Sequence, residues 1–292
     1  MARAAERLSE NADGDFFVDR SCIDCETCRQ LAPAIFRRHA GAAQSVVGAQ
    51  PVTAADRHRA LMALVACPTA SIGSLQKHDP RAAARAFPEE IADGILYCGY
   101  ASASSYGASS YLIRRPGGNV LVDSPRAAPA LLERLRALGG ARFMFLTHRD
   151  DVADHAKLQR ALGCERILHA ADVDHGTATV ERRLTGTEPV ALGDDLLAIP
   201  VPGHTRGSTA LLYRDRFLFS GDHLWGDEDT GRLAMGRGVC WYSWAEQRRS
   251  LRRLLDHRFE WVLPGHGRRF QARSPAEMRA AIEALLRETG GP

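Results

Sequence analysis

Five short fragments in the second two-thirds of this 292-residue chain share one construction: an apolar run, then a metal-ligand residue beside Gly, Pro or Thr. They are LVDSP with Asp123, LTHRDDVADH with His148 to His155, VPGHT with His204, FSGDH with Asp222, and LPGHG with His266. A rigid strand ending in a short loop delivers its last side chain to a sheet edge, so such fragments can converge on one pocket. Imidazole and carboxylate donors together suit zinc, iron or manganese rather than calcium. The pattern points to an enzyme.

The first third carries a different inorganic signature. Cys22-x-x-Cys25-x-x-Cys28 is followed by a remote Cys67-Pro68. Three thiolates at this spacing wrap one face of an iron–sulfur cube, and the remote Cys-Pro closes it. A zinc site would use four thiolates as two separated pairs, and disulfides would need an oxidising compartment. The third cysteine favours the cluster over both. The surrounding segment, residues 15 to 74, resembles a single-cluster bacterial ferredoxin of the [4Fe-4S] type.

From Gly94 to Phe270 the five fragments resemble the metallo-β-lactamase superfamily. There the order is a strand-end Asp, a His-x-His-x-Asp-His cluster, a distant His, a bridging Asp and a last His. This chain departs from it within His148-Arg149-Asp150-Asp151-Val152-Ala153-Asp154-His155: Asp150 stands where the second His belongs, and two extra residues precede Asp154-His155. The resemblance implies an α/β fold, a four-layer αβ/βα sandwich, preceded here by a small α+β ferredoxin-like domain. It also implies two divalent metals, zinc or iron. His148 and His204 would bind the first, Asp154, His155 and His266 the second, with Asp222 bridging and Asp123 supporting from behind. Asp154 and His223 are the expected catalytic residues, His223 as a proton donor. Asp150 is read as a ligand to the first metal, because two residues past His148 an extended chain points to the same side. The competing reading is a cap for the following helix. Asp151 is read as a cap or a solvated residue.

The implied reaction is thioester or lactone hydrolysis of the glyoxalase II type, by a water activated between the metals. A carboxylate within the cluster also resembles flavo-diiron proteins, so the alternative is a di-iron or mono-iron oxidoreductase taking electrons from the cluster. A third reading is an iron–sulfur redox sensor.

The expected domains are a flexible N-terminus (1–14), the iron–sulfur domain (15–75), a charged linker (76–91) and the second domain (92–292). Helical spacing over residues 54–66 delivers Cys67 to its turn. Helices are also expected over 127–138, 154–162 (closed by Gly163) and 243–255, with hairpins at PGGN and Arg214-Asp215. No stretch is long and apolar enough to cross a membrane, and the first residues show no secretory h-region. With free cysteines and a cluster, this points to the cytoplasm. A net charge of +3 is too mild to imply nucleic acid. Arg237, Trp241 and Tyr242, between the fourth and fifth fragments, would suit an anionic small-molecule substrate. The cluster would call for a redox partner.

Overall fold

The protein is described from a computed structural model covering residues 2–290; Met1, Gly291 and Pro292, at the ends of the first and last expected segments, lie outside the described residues. The chain forms two units, the first comprising residues up to Arg142 together with Ala153–Gly163, the second Phe143–Val152 and the remainder.

The first unit begins with β1 (Phe16–Val18), β2 (Phe36–Arg38), β3 (Ser45–Val47) and β4 (Ile72–Ser74), and with the helices α1 (Thr27–Leu31) and α2 (Ala54–Ala66). β1 pairs antiparallel with β4, and β2 with β3. α2 matches its expected span. Its start is a capping box: Thr53 Oγ1 accepts from Asp56 N, and Asp56 Oδ2 accepts from Thr53 N, each at 3.0 Å. Its end is set by Pro68, which disfavours helical backbone at Cys67; that residue is extended, with ψ 122.

The N-terminal residues are not the loose tail expected. Asn11 is buried, and its Oδ1 accepts from Val18 N (3.0 Å) and Val47 N (2.9 Å) while its Nδ2 donates to Val18 O (2.8 Å). One amide thus bonds backbone groups of two strands. The expected linker is also shorter than 76–91. After α3 (Arg81–Arg85) and the buried Phe87, Glu89 and Glu90 enter β5 (Glu89–Ala92). β5 pairs with β6 (Ile95–Tyr97), which continues antiparallel to β7 (Tyr111–Ile113) and β8 (Val120–Val122). An edge strand tolerates charged residues that a central strand would not, which is why its polar sequence reads as linker. The unit is completed by α4 (Pro129–Ala137), with Pro at its first turn, and α5 (His155–Leu162), ended by left-handed Gly163.

The second unit opens with three parallel strands, β9 (Phe143–Phe145), β10 (Glu165–His169) and β11 (Arg182–Leu184). A larger sheet follows from β12 (Val190–Gly193), β13 (Leu196–Pro200), β14 (Thr209–Tyr213) and β15 (Phe217–Gly221). These four form an antiparallel meander whose last turn lies at Arg214-Asp215, as expected. A small hairpin, β16 (Trp225–Gly226) with β17 (Leu233–Ala234), precedes α6 (Trp244–Arg253) and β18 (Trp261–Pro264). β18 runs parallel to β15 and antiparallel to β19 (Phe270–Gln271), before α7 (Pro275–Glu288). Every residue of β14 and β15 is buried, so these strands carry continuous apolar runs without alternation. Leu212, Leu218 and Val262 pack with Leu251 of α6 and Ile282 of α7; each such leucine contributes ~1.5–3 kcal/mol by leaving water. The result is a rigid sheet whose strand ends can hold polar side chains in fixed places.

Candidate metal centre

Four loops of the second unit that carry expected ligands follow strands of its two sets. His148 follows β9, His204 follows β13, Asp222 follows β15 and His266 follows β18. Register makes the last two neighbours: Gly221 pairs with Pro264 across the parallel strands, and Gly265 N donates to Gly221 O at 3.0 Å. His266 Nδ1 consequently lies 2.9 Å from both oxygens of Asp222. Asp222 Oδ2 is also 3.8 Å from His148 Nε2 and 3.7 Å from His204 Nε2. It sits among three imidazoles. Burial works to raise its pKa, but His266, His148 and His204 outweigh this and hold the carboxyl far below its usual range.

The two histidines expected at the first metal have neighbours that orient their rings. His204 Nδ1 donates to Val239 O at 2.6 Å, which directs Nε2 to the centre. Thr147 Oγ1 lies 3.0 Å from His148 Nδ1. Burial pushes the His148 pKa down to about 4 against the pull of Asp222. For His204, burial is outweighed by Asp150 and Asp222, so its pKa is raised. The ring planes meet edge to face, with centroids 4.7 Å apart. Asp150 Oδ2 stands 3.3 Å from His204 Nε2, and the ligand atoms of His148, Asp150 and His204 all lie within 4.8 Å of one another. The helix-cap alternative for Asp150 does not apply, since α5 begins at His155.

The cluster's other carboxylates lie in surroundings different from those expected. Asp154, expected as metal ligand and catalytic residue, has Oδ2 accepting from Ala127 N at 3.0 Å and Oδ1 2.7 Å from Lys157 Nζ. Both oxygens are engaged within the first unit. Asp151, expected to be a cap or solvated, is instead buried with Oδ2 3.9 Å from His148 Nε2. His148, Asp151 and Asp222 place ligand atoms within 4.8 Å of one another. The extra residues turn the chain after Asp151, with Ala153 at positive φ, and carry Asp154 to the start of α5. Three residues of register separate the expected carboxylate from the one observed. His155 and Asp123 are both buried in the first unit, the former as the first residue of α5, the latter left-handed at the end of β8. His223 is fully buried, and neither ring nitrogen has a hydrogen-bond partner among the described residues. Burial, with His204 nearby, lowers its pKa to about 3.

The donor set fits a divalent cation. Asp151 and Asp222 converge in a buried place where two carboxylates repel unless a cation lies between them. Gly265 makes room for them: a Cβ there would stand 2.5 Å from Asp151 Oδ2 and 2.8 Å from Asp222 Oδ1. His148 Nε2 is buried with no hydrogen-bond partner among the described residues.

One supporting residue lies outside every expected motif. Asp172, buried just past β10, joins two ligand loops. Its Oδ2 accepts from Thr205 Oγ1 (2.5 Å) and Arg149 N (3.1 Å), and its Oδ1 accepts from Gly207 N (2.7 Å). Arg149 follows His148, and Thr205 follows His204. The available signal was position: Asp172 follows an apolar strand, as the ligands do.

In the first unit Cys22, Cys25, Cys28 and Cys67 line a single cavity with Ile23 and Pro68. Ser45 N donates to Cys22 Sγ and Ser71 N to Cys67 Sγ, each at 3.3 Å. Burial pushes the Cys25 thiol up to about 11 and Cys28 further. Converging buried sulfurs that receive backbone N–H groups fit an iron–sulfur cluster, whose iron stabilises the thiolates.

Residues 18–74 match the family of the 4Fe-4S single cluster domain of Ferredoxin I. Hydroxyacylglutathione hydrolases are also similar to this chain: that of Anaeromyxobacter dehalogenans is 38% identical over 122 residues, covering 39% of this chain and 45% of that protein. That of Hyphomonas neptunium is 32% identical over 118 residues, covering 38% and 46%. The matched region thus spans less than half the length of these relatives. Among solved structures, the B3 metallo-β-lactamase BLEG-1 aligns with TM-score 0.52 at 18% identity, over 65% of this chain and 99% of its own. TMB-1 aligns with TM-score 0.52 at 17% identity, over 67% and 96%. The chain therefore joins a single-cluster ferredoxin segment to a domain with the metallo-β-lactamase fold.

Proposed function

We propose that the second domain is a metal-dependent hydrolase acting on a thioester or a similarly activated ester of an anionic small molecule. The observation that carries this reading is the set His148, Asp150, Asp151, His204, Asp222 and His266, gathered from four strand ends around one bridging carboxylate. Divalent ions held there would bring the pKa of water toward neutrality and polarise the attacked carbonyl. The chain's own residues hold that geometry: Val239 O fixes the His204 ring, and Asp172 joins two of the loops. Arg206 and Tyr242 line a neighbouring cleft of ≈ 260 Å³ with His169 and Thr187, which suits a substrate with an anionic group. The names of the similar hydroxyacylglutathione hydrolases make S-acyl glutathiones the first substrates to test.

A second reading has one specific observation in its favour. His148, His204 and Asp150 form a two-imidazole, one-carboxylate set, which suits non-haem iron. The domain would then be an iron oxidoreductase supplied with electrons by the cluster.

One anaerobic preparation separates the two. Zinc present beside iron equal to sulfide, with thioester cleavage lost in Asp151→Asn and kept in Asp154→Asn, is the expected result. Iron in clear excess over sulfide, with no thioester cleavage, would overturn the hydrolase. Metal and activity lost only in Asp154→Asn would restore the original assignment of the carboxylates.

A further inference from the structure

A residue from outside the cysteine-bearing segment packs against one of its cysteines. Gly107, which lies beyond that segment in the turn between β6 and β7, packs onto Cys25. A Cβ on Gly107 would stand 2.4 Å from Cys25 Cβ, 3.0 Å from Cys25 Sγ and 3.2 Å from Pro68 Cγ. Its φ of +87 also lies where a side chain is strained. The same stretch holds the helix that presents Cys67. Ala101 N donates to Ala66 O at 3.2 Å, and Arg126 Nη2 donates to Val65 O at 3.0 Å.

The Gly107 turn has a second attachment. Ser105 is buried, and its Oγ accepts from Ala153 N at 3.1 Å. Next to Arg126, Ala127 N donates to Asp154 Oδ2 at 3.0 Å. Only Val152 separates Ala153 and Asp154 from Asp150-Asp151. Both anchors of this segment are thus borne by stretches that also grip the cysteine module.

We propose that Gly107 is part of the cluster site, and that an intact cluster fixes the Ala153–Asp154 segment through the Ser102–Gly107 turn. Cys25 is flanked by Asp24 and Glu26, both non-glycine residues in the left-handed region (φ 56 and 62). Such backbone persists only where its surroundings over-determine it, and ligation of Cys25 to iron supplies that constraint. Without the cluster the Cys22–Cys28 loop relaxes, Gly107 loses its seat, and the acceptor for Ala153 N moves. This rests on the cluster and not on any reading of the reaction.

Residue-resolved hydrogen exchange on the anaerobic full-length protein, with its cluster and after oxidative removal of iron by a chelator, tests the idea. The amide of Ala153 is expected to exchange at least about tenfold faster without the cluster, as local opening does when one restraint is removed. Amides of β14 and β15 should be unchanged. Gly107→Ala should bleach in air several-fold faster than wild type. Gly140→Ala, with φ +67 but nothing within 4 Å of the added Cβ, imposes the strain without the contact and should bleach as wild type does. Ser105→Ala should keep the visible spectrum of the cluster and release the Ala153 amide, so the linkage stays testable where Gly107→Ala does not fold. Unchanged Ala153 exchange after cluster removal, or equal bleaching of the two glycine variants, would overturn the proposal.

Discussion

Asp172→Asn isolates the restraint that one carboxylate places on two metal-ligand loops. The wild-type group accepts from Thr205 Oγ1, Arg149 N and Gly207 N, all buried or half-buried donors. Asparagine keeps the shape but offers one oxygen and one NH₂ group. If the oxygen faces Gly207 N, Thr205 can rotate its hydroxyl to accept from the NH₂ and donate to Ser208 Oγ, 2.8 Å away. Arg149 N–H then faces a donor. If the oxygen faces Arg149 and Thr205, Gly207 N–H faces the donor instead. Either way one backbone donor is orphaned, which costs about 1–3 kcal/mol. Asp172→Ala orphans both backbone donors, while Thr205 can turn its hydroxyl to Ser208 Oγ, and should cost at least about 2 kcal/mol by the same measure. Both ligand loops lose a restraint, so zinc affinity, measured by competition with a chromophoric chelator, should weaken about 10–100-fold in Asp172→Asn. Urea unfolding gives the stability term separately. Wild-type zinc affinity in Asp172→Asn, whatever its stability, would show that the loops hold His148 and His204 without Asp172.

Two other perturbations probe different parts of the molecule. Gly265→Ala would set a methyl group 2.5 Å from Asp151 Oδ2 and 2.8 Å from Asp222 Oδ1; zinc content is expected to fall while the visible absorption of the cluster is unchanged, and full zinc retention would contradict the convergence of the two carboxylates. Glu181 is bonded by buried Arg166 (Nη2 to Oε1 at 2.8 Å), which holds its carboxyl below the ordinary value of 4.5. A depressed carboxylate contributes stability that is fully present above its unfolded value and is lost as pH falls through the folded one. Glu181→Gln should therefore be less stable than wild type at neutral pH, and the gap should narrow as pH is taken below 4.5; a gap that stays constant on acidification would refute the linkage.

The placement of the strand-end histidines and Asp222 is legible in the sequence because the physics is local. An apolar run that stops at Gly or Thr places the next polar residue at a sheet edge, and His148, His204, Asp222 and His266 all obey this. The cysteine spacing is legible for the same reason. What happens inside the turn after His148 is not. Whether Asp151 or Asp154 faces the centre depends on the backbone at Ala153, where a non-glycine residue takes positive φ, and no spacing rule reports that. The buried Asn11 escapes notice because its side chain is satisfied by a partner remote in sequence, and β5 because an edge strand can carry Glu89 and Glu90. Helix α7 is signalled by Ser274-Pro275 with Glu277 three residues after the cap, which a search led by ligand motifs passes over.

The spread of the ligands along the chain has a topological consequence. His148 and His266 lie on the first and last of the four ligand loops, whereas Cys22 and Cys67 close a far shorter span. Ions joined through Asp222, which lies between the two histidines, would tie this span together as a cross-link on the unfolded chain, and loop-closure entropy grows with the logarithm of the span, by on the order of 1 kcal/mol between two such loops. Each inorganic group would then be a staple for its own stretch of polypeptide. Demetallation of the longer loop would release the greater share of chain entropy.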